Sequence, residues 1–267
     1  MDLVFIGTRG EIDTTKRRHR RHSALLVREA GARILVDCGA DWRHRIDALR
    51  PTAIILTHGH PDHARGLADG APCPVYATAE TWPLLASFPI AERRLMPERR
   101  LVQIAGVVFE AFAVVHSIRA PAVGYRITSR RQSLFYVPDV VAIRDRATAL
   151  LGIDLYVGDG ATVTRPLIRR RDGTLIGHTP IRTQLGWCHA EAVRRAIFTH
   201  CGSEIVGGDE RSLGALVRRL GRERGVEASI AYDGMRLSLD DPLGSAGRSD
   251  TSWRGGDPDQ SRQRRRA

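Results

Sequence analysis

Four side chains that can bind metal ions stand within six residues of this 267-residue sequence. Shortly after the apolar stretch Ala53–Leu56 come His58, His60, Asp62 and His63. Imidazole and carboxylate groups are ligands that suit zinc, manganese or iron. In a tight turn the first two histidines can face one way and the last two ligands another, so that one loop can serve two ions. This loop therefore predicts a two-metal centre.

Three further ligand-type residues each follow an apolar, strand-like run elsewhere in the chain: His116, Asp139 and His200. Taken singly, each is as easily a polar residue that ends a strand. Loops at strand ends are where binding and catalytic sites are built. We therefore expect these three side chains to meet the loop at 58–63 and to complete its ligand set.

The elements that must position these residues are short strands and helices. The strand-like runs are Leu3–Ile6, Ala24–Val27, Arg33–Val36, Ala53–Leu56 and Val75–Ala77, and the helix candidates are Ala79–Phe88, Ala190–Ala196 and Glu210–Glu223. Residues 101–139 alternate strands with short turns, which indicates hairpins. Strands followed by helices in two successive blocks predict an α/β protein, an αββα four-layer sandwich in which two sheets are flanked by helices.

The composition indicates a globular protein, with 42% hydrophobic and 27% charged residues. No apolar run approaches the roughly 20 residues that a membrane span needs. The first ten residues lack the features of a signal peptide, so we predict a cytoplasmic protein. The four scattered cysteines contain no Cys-x-x-Cys pair, which argues against a disulfide framework and a zinc ribbon. A homodimer stays open beside a monomer.

The net charge of +11 is weak evidence for a nucleic-acid partner. Lys16 is the only lysine. So strong a bias towards arginine indicates an arginine-favouring genome as much as a functional choice. Residues 242–267 alone carry six arginines and three aspartates. This segment is rich in Gly, Ser, Asp and Arg, so we predict a disordered tail at 242–267 after a hydrolase domain at 1–241.

Several motifs together resemble the metallo-β-lactamase superfamily. The run Thr57–Leu67 is similar to its signature loop, and the branch it most resembles holds ribonuclease Z and the cyclic-phosphate phosphodiesterase of phosphonate breakdown. The other matching segments are Phe5–Gly10, Arg21–Leu26, Asp37-Cys38-Gly39 and Tyr232–Met235. The resemblance spans residues 1–239 and implies the metallo-β-lactamase fold, in which Asp37 supports the metal loop.

Carried over residue by residue, the resemblance implies two ligand sets for two divalent metal ions. Zinc is the first choice of metal, and manganese and iron are the alternatives. One set is His58, His60 and His116, the other is Asp62, His63 and His200, and Asp139 bridges them. It also implies that His178, 22 residues before His200, is a catalytic histidine. Asp159 stands where ribonuclease Z has a glutamate, a replacement with a shorter reach.

These residues suggest how a phosphodiester would be cleaved. The metals would activate a hydroxide, which Asp62 and Asp139 would orient for attack. As an imidazolium, His178 would protonate the leaving oxygen, and Asp159 would hold its tautomer. Arginine pairs well with phosphate, so Arg18 and Arg21, in the basic run 16–22, are candidate substrate contacts.

The spacing of the ligands bears on the substrate. Only 22 residues separate His116 from Asp139, too few for the long tRNA-gripping arm of ribonuclease Z. A small cyclic phosphate, a nucleotide or an RNA fragment therefore fits better than a whole tRNA. Two alternatives stay open: a hydrolase of another ester, thioester or lactone, and a non-catalytic nucleic-acid-binding protein. A one-metal oxygen-using iron enzyme is disfavoured, because it would leave Asp62, His63 and His200 without a shared role.

Overall fold

The computed structural model describes residues 1–130 and 132–239, so the predicted tail at 242–267 lies outside the described residues. The strands are β1 (Asp2–Gly7), β2 (Ala24–Glu29), β3 (Ala32–Val36), β4 (Ala53–Ile55), β5 (Val75–Ala77), β6 (Arg93–Leu95), β7 (Leu101–Ile104), β8 (Val107–Val115), β9 (Ala122–Ser129), β10 (Gln132–Tyr136), β11 (Ala142–Ile143), β12 (Leu155–Asp159), β13 (Leu167–Arg171), β14 (Thr174–His178), β15 (Arg195–Thr199), β16 (Glu227–Ile230) and β17 (Met235–Ser238). The α-helices are α1 (Ile46–Leu49), α2 (Pro61–Ala64), α3 (Arg146–Leu150), α4 (Ile181–Ala190), α5 (Ser203–Gly207) and α6 (Glu210–Arg222).

Two large sheets carry most of the strands. The first has the order β17-β1-β2-β3-β4-β5-β6, and the second has β11-β8-β9-β10-β12-β15-β16 with β7 paired to β8. In each sheet one half is antiparallel and the other half is parallel: β3 to β6 in the first, and β10, β12, β15 and β16 in the second. The strands β13 and β14 form a separate two-stranded hairpin.

Three clusters of buried apolar side chains separate four layers. The central cluster joins the two sheets and includes Phe5 from the first and Tyr125 from the second. A second cluster covers the outer face of the first sheet and includes Trp42. A third lies between the second sheet and the helices α4 and α6, with Tyr156 and Leu185 among its members. The predicted αββα sandwich is therefore confirmed.

The alternation along β8 shows how the sequence specifies these layers. Val107, Phe109 and Ala111 belong to the central cluster, whereas Phe112 and Val114 belong to the outer one. Side chains in a strand point alternately to its two faces. Burial on both faces therefore requires a sheet that is covered on both sides.

Among the described residues, no helix has the length and apolar character that a membrane crossing requires.

Two of the three predicted helices differ from the structure. The predicted helix Ala79–Phe88 is only a 3-10 helix at Trp82–Leu85. The predicted helix Ala190–Ala196 was wrong, because α4 ends at Ala190 and β15 begins at Arg195. Ala192 adopts a left-handed backbone with φ 57°, which reverses the chain between the two elements. The third, Glu210–Glu223, is confirmed as α6.

Candidate metal centre

The predicted ligands stand at the ends of strands that meet at one edge of the sandwich. His58 follows β4, His116 follows β8, Asp139 follows β10 and His200 follows β15. Carboxyl ends of neighbouring parallel strands lie on the same edge of a sheet, which is where α/β proteins build their sites. The remaining ligand candidates come from the turn between β4 and the short helix α2, which begins at Pro61.

The first group of ligand atoms consists of His58, His60 and His116, whose ligand-type atoms lie within 4.8 Å of one another. Nδ1 of His60 lies 2.9 Å from Nε2 of His58 and 3.3 Å from Nε2 of His116. The other ring nitrogens of His58 and His116 are already engaged. Nδ1 of His58 lies 3.0 Å from the hydroxyl of Thr57, and Nδ1 of His116 donates to the carbonyl of Gly177 at 3.1 Å. Such bonds orient the ring and leave Nε2 for an ion.

The second group consists of Asp62, His63, Asp139 and His200, all buried and again with ligand-type atoms within 4.8 Å of one another. Oδ2 of Asp62 lies 3.3 Å from Nε2 of His63 and 3.0 Å from Nε2 of His200. Asp139 contacts both histidines, with its Oδ2 2.6 Å from Nε2 of His63 and its Oδ1 3.3 Å from Nδ1 of His200.

Asp139 also reaches the first group. Its carboxylate oxygens lie 3.7 Å from Nε2 of His58 and 3.9 Å from Nε2 of His116. The structure therefore brings the seven predicted ligands into two adjacent groups with this one carboxylate between them. The division into groups is the one that the family resemblance implies.

Unsatisfied polar atoms indicate that the cluster fits metal ions. Among the described residues, three buried side-chain atoms of this cluster make no well-directed hydrogen bond: Nε2 of His63, Oδ2 of Asp139 and Nδ1 of His200, although the first two lie only 2.6 Å apart. Leaving a buried donor or acceptor unpaired costs about 1–3 kcal/mol each. Three such atoms from ligand-type residues in one group are accounted for if they coordinate cations.

The electrostatics of the two groups differ. Burial lowers the pKa of His58 well below its usual value and that of His60 to about 4, so both are neutral imidazoles ready to donate a lone pair. Burial also disfavours the charged form of His63, but Asp62 and Asp139 outweigh it and hold the pKa of His63 well above its usual value. The second group thus favours a positively charged His63 when no metal is bound. A bound cation would displace the extra proton of this imidazole, because metal ligands must be deprotonated.

Asp37 lies behind the loop at 58–63, where the family resemblance implies a supporting carboxylate. Its carboxylate is fully buried and accepts from the backbone N–H of Thr57 at 2.8 Å and from Nδ1 of His63 at 2.9 Å. Asp37 has a left-handed backbone with φ 62°, a conformation that such bonds must hold in place. Gly39, two residues on, is required by close approach, since an added Cβ would collide with the carbonyl of Asp62.

His178 and Asp159 form a pair beside the second group. Nδ1 of His178 donates to Oδ2 of Asp159 at 2.8 Å, so the shorter aspartate does reach the histidine. The carboxylate is itself held by the backbone N–H groups of Val140 at 3.0 Å and Ala161 at 2.8 Å. Burial opposes a charge on His178, but Asp159 and Asp139 prevail and raise its pKa to about 9. Nε2 is the nitrogen left for a substrate.

The two predicted substrate arginines do not lie at this site. Arg18 stacks on Tyr232, 3.8 Å from the ring centre, and forms an ion pair with Glu210. Arg21 packs 5.0 Å from the ring centre of Trp42. Neither lines the cavity at the metal centre. Their prediction as substrate contacts rested on the density of charge in the run, and local ion pairs and aromatic stacking account for these side chains instead.

A cavity of about 690 Å³ opens over the ligand groups. His60, Asp62, Asp139, His178 and His200 line its floor. Its walls come from the segment around Glu11, from residues 117–119 after β8 and from the β13–β14 hairpin. The hairpin was not predicted from the sequence, although it carries His178 at its end.

Gln184, like the hairpin, was not predicted from the sequence. It is fully buried and connects four groups, accepting from Asp159 N and Tyr156 Oη at 2.9 Å and donating to the carbonyls of Asp159 at 2.7 Å and Thr179 at 3.0 Å. In the sequence, Gln184 can be recognised as the polar residue on the otherwise apolar face of α4. Gln184→Ala should destabilise the protein by about 1–3 kcal/mol in urea unfolding, because buried groups lose their partners.

The matched control is Gln103→Ala, at an exposed position of β7. We expect its free energy of unfolding to stay within about 0.5 kcal/mol of the unmodified chain. Equal effects of the two substitutions would show that the buried network around Gln184 contributes nothing.

The sequence also matches a known protein family. Residues 32–201 match the family model described as the beta-lactamase superfamily domain. Because the match covers more than half of the chain, the protein belongs to this superfamily. The resemblance seen in the metal-loop motif is confirmed, including its proximity to the ribonuclease Z branch.

Individual relatives match shorter segments. The chain is 39% identical over 71 residues to ribonuclease Z of Bradyrhizobium sp. (strain ORS 278), which covers 25% of this chain and 23% of that protein. It is 30% identical over 155 residues to ribonuclease Z of Geobacillus kaustophilus (strain HTA426), covering 49% and 50%. The matched segments thus span from about a quarter to a half of the length of these curated relatives.

Among solved structures, a diphosphatase from the PhnP family superposes with a TM-score of 0.66 at 22% sequence identity. The superposition covers 88% of this chain and 96% of that one. At this identity the likeness shows the fold, and it agrees with the four layers described above.

Proposed function

We propose that the protein is a two-metal hydrolase of phosphodiesters, and that its substrate is a small cyclic phosphate, a nucleotide or an RNA fragment. The observation that carries this proposal is the pair of ligand groups on either side of Asp139, with His178, which is bonded to Asp159, facing the same cavity. A hydrolase that only polarises a carbonyl has less need of a separate protonated histidine at this place.

We assign one divalent ion to His58, His60 and His116 and the other to Asp62, His63 and His200, with Asp139 between them. Zinc suits this mixture of imidazole and carboxylate, and manganese or iron are alternatives. When bound, two such ions supply Lewis acidity towards a phosphoryl oxygen and lower the pKa of water to near neutrality.

The chain's own residues then divide the remaining work. Asp62 and Asp139 orient the attacking water through their carboxylate oxygens. His178 holds a proton on Nε2 and gives it to the leaving oxygen, and its bond from Nδ1 to Asp159 keeps it protonated and correctly turned. General acid catalysis of this kind contributes about 10²- to 10⁴-fold.

The names of the relatives support a phosphate-containing substrate, since two are ribonucleases Z and one is a diphosphatase. The short connection between His116 and Asp139 supports a small substrate. We keep three further proposals from the sequence: a cytoplasmic location, a domain boundary at residue 241 and the homodimer as an alternative to a monomer.

The pH dependence of activity tests the role of Asp159. His178 acts as an acid only while it is protonated, so kcat/KM should fall as the pH rises through its pKa. In Asp159→Asn the stabilising carboxylate charge is gone, so the pKa of His178 falls and the alkaline limb moves to lower pH by about one unit or more. An unchanged limb would show that His178 does not titrate in catalysis.

A panel of substrates tests the proposed function itself. We expect the zinc-loaded protein to hydrolyse bis-p-nitrophenyl phosphate and 2′,3′-cyclic nucleotides, and to leave thioesters and lactones untouched. Hydrolysis of a thioester or lactone with no turnover of any phosphodiester would overturn the assignment. Salt-dependent RNA binding without any turnover would favour the non-catalytic alternative.

A further inference from the structure

The β13–β14 hairpin places arginines on a wall of the cavity. Because side chains alternate in a strand, Leu167, Arg169 and Arg171 share one face of β13, and all three line the cavity. Across the hairpin, Leu167 pairs with His178 and Arg169 pairs with Ile176. Arg169 is therefore two residues along β13 from Leu167, the partner of His178. Two residues of a strand correspond to roughly 7 Å between the Cα atoms.

The charge of Arg169 is not used within the described part of the protein. Its side chain makes no hydrogen bond or ion pair with any described residue, whereas Arg170 donates to the carbonyl of Gly173 at 2.8 Å and Arg171 lies 3.8 Å from Asp172. Arg119, on the other wall of the cavity, is likewise without a described partner. Most surface arginines are simply solvated, but these two face a cavity that ends at a metal centre.

We propose that Arg169, assisted by Arg119, binds a second phosphate of the substrate, next to the phosphodiester that is cleaved. The guanidinium group matches phosphate oxygens with two parallel hydrogen bonds. This inference rests on the proposed function and narrows it, because it favours a short oligonucleotide with an additional phosphate over a substrate that carries only one. Leu167 and Ile176, on the same wall, offer an apolar surface to the sugar or base.

Dinucleotides that differ only in a terminal phosphate test the proposal. The substrates are UpU, pUpU and UpUp, with bis-p-nitrophenyl phosphate as the reference that has one phosphate. For the unmodified protein we expect kcat/KM to be about tenfold higher for pUpU or UpUp than for UpU, mainly through a lower KM. In Arg169→Ala this preference should disappear: the ratio of kcat/KM for pUpU or UpUp to kcat/KM for UpU should fall to about one, with turnover of bis-p-nitrophenyl phosphate by the same variant as the internal reference.

Arg170→Ala is the matched control. It removes the same charge from the next position of the same strand, whose side chain points to the opposite face. We expect it to retain the preference for the phosphorylated dinucleotides, and its unfolding temperature shows whether the hairpin is intact. If both variants lost the preference equally, the preference would depend on the overall charge of the hairpin. That result would overturn the proposed phosphate site at Arg169.

The outcomes separate this inference from the proposed function. If bis-p-nitrophenyl phosphate is hydrolysed but the terminal phosphate brings no preference, only the role of Arg169 is wrong. If no phosphodiester is hydrolysed, the proposed function fails, and equilibrium binding of pUpU against UpU still tests the hairpin. Equal affinities of the unmodified protein for these two dinucleotides would then overturn the second-phosphate site as well.

Discussion

Replacing His178 by alanine is expected to lower kcat for bis-p-nitrophenyl phosphate by about 10²- to 10⁴-fold while the metal content stays the same. The reason is the geometry of the ring. Nδ1 is bound to Asp159 at 2.8 Å, the pKa is raised to about 9, and the side chain lines the cavity beside Asp139 and His200. The measurement is kcat under saturating substrate, together with elemental analysis of the same preparation.

The metal content decides between two roles for this histidine. Ligand-type atoms of His178 also lie close enough to those of His116 and Asp139 to share an ion. If His178→Ala loses a metal equivalent along with its activity, the histidine is a ligand and our assignment as an acid is wrong. His189→Ala, an exposed histidine at the end of α4, serves as the control and should keep normal activity and metal content.

Replacing Asp139 by alanine should have the other large effect, because this residue contacts both ligand groups. We expect at least one metal equivalent to be lost and activity to fall by more than about 10³-fold, since both ions are needed for the electrostatic stabilisation of the reaction. The metal-free protein should also lose about 3–5 kcal/mol of stability, because His63 and His200 keep buried charge without this partner.

Elemental analysis, activity and urea unfolding measure these three effects on one variant. Asp47→Ala removes an exposed carboxylate at the start of α1 and should change none of them. A variant at Asp139 that keeps two metal equivalents and near-normal turnover would contradict the bridging role. A variant that loses stability alone would reduce Asp139 to a structural ion-pair partner.

Much of the candidate metal centre could be predicted because its proposed ligands lie close together in sequence or directly after strands. The loop at 58–63 is local, and His116, Asp139 and His200 end apolar runs, so the fold has only to bring strand ends together. The sandwich was predictable for a related reason. Strands buried on both faces, such as β8, have nearly continuous apolar sequences, interrupted in β8 only by Glu110.

The parts that were missed depend on tertiary contacts. The β13 strand reads Leu-Ile-Arg-Arg-Arg and is exposed throughout, so no burial pattern marks it. Gln184 is conspicuous only once α4 is known to pack against β12. The segment Ala190–Ala196 has helical propensity, but pairing of β15 with β12 and β16 overrides it.

For the arginines too, the sequence pattern did not show which side chains lie at the cavity. Arg18 and Arg21 stand in the densest basic run, but an ion pair and aromatic rings engage them away from the cavity. Arg169 belongs to a run of three arginines at 169–171, and the alternation of side chains along β13 places it on the cavity face. Charge density alone did not identify the side chains that face the site.

The most direct test of the two-metal account is a zinc titration of the metal-free protein, followed by the rate of bis-p-nitrophenyl phosphate hydrolysis. The two ligand groups predict that activity rises until about two equivalents are bound per chain and then stays constant. Full activity at one equivalent, or phosphodiester hydrolysis by the metal-free protein, would contradict the account.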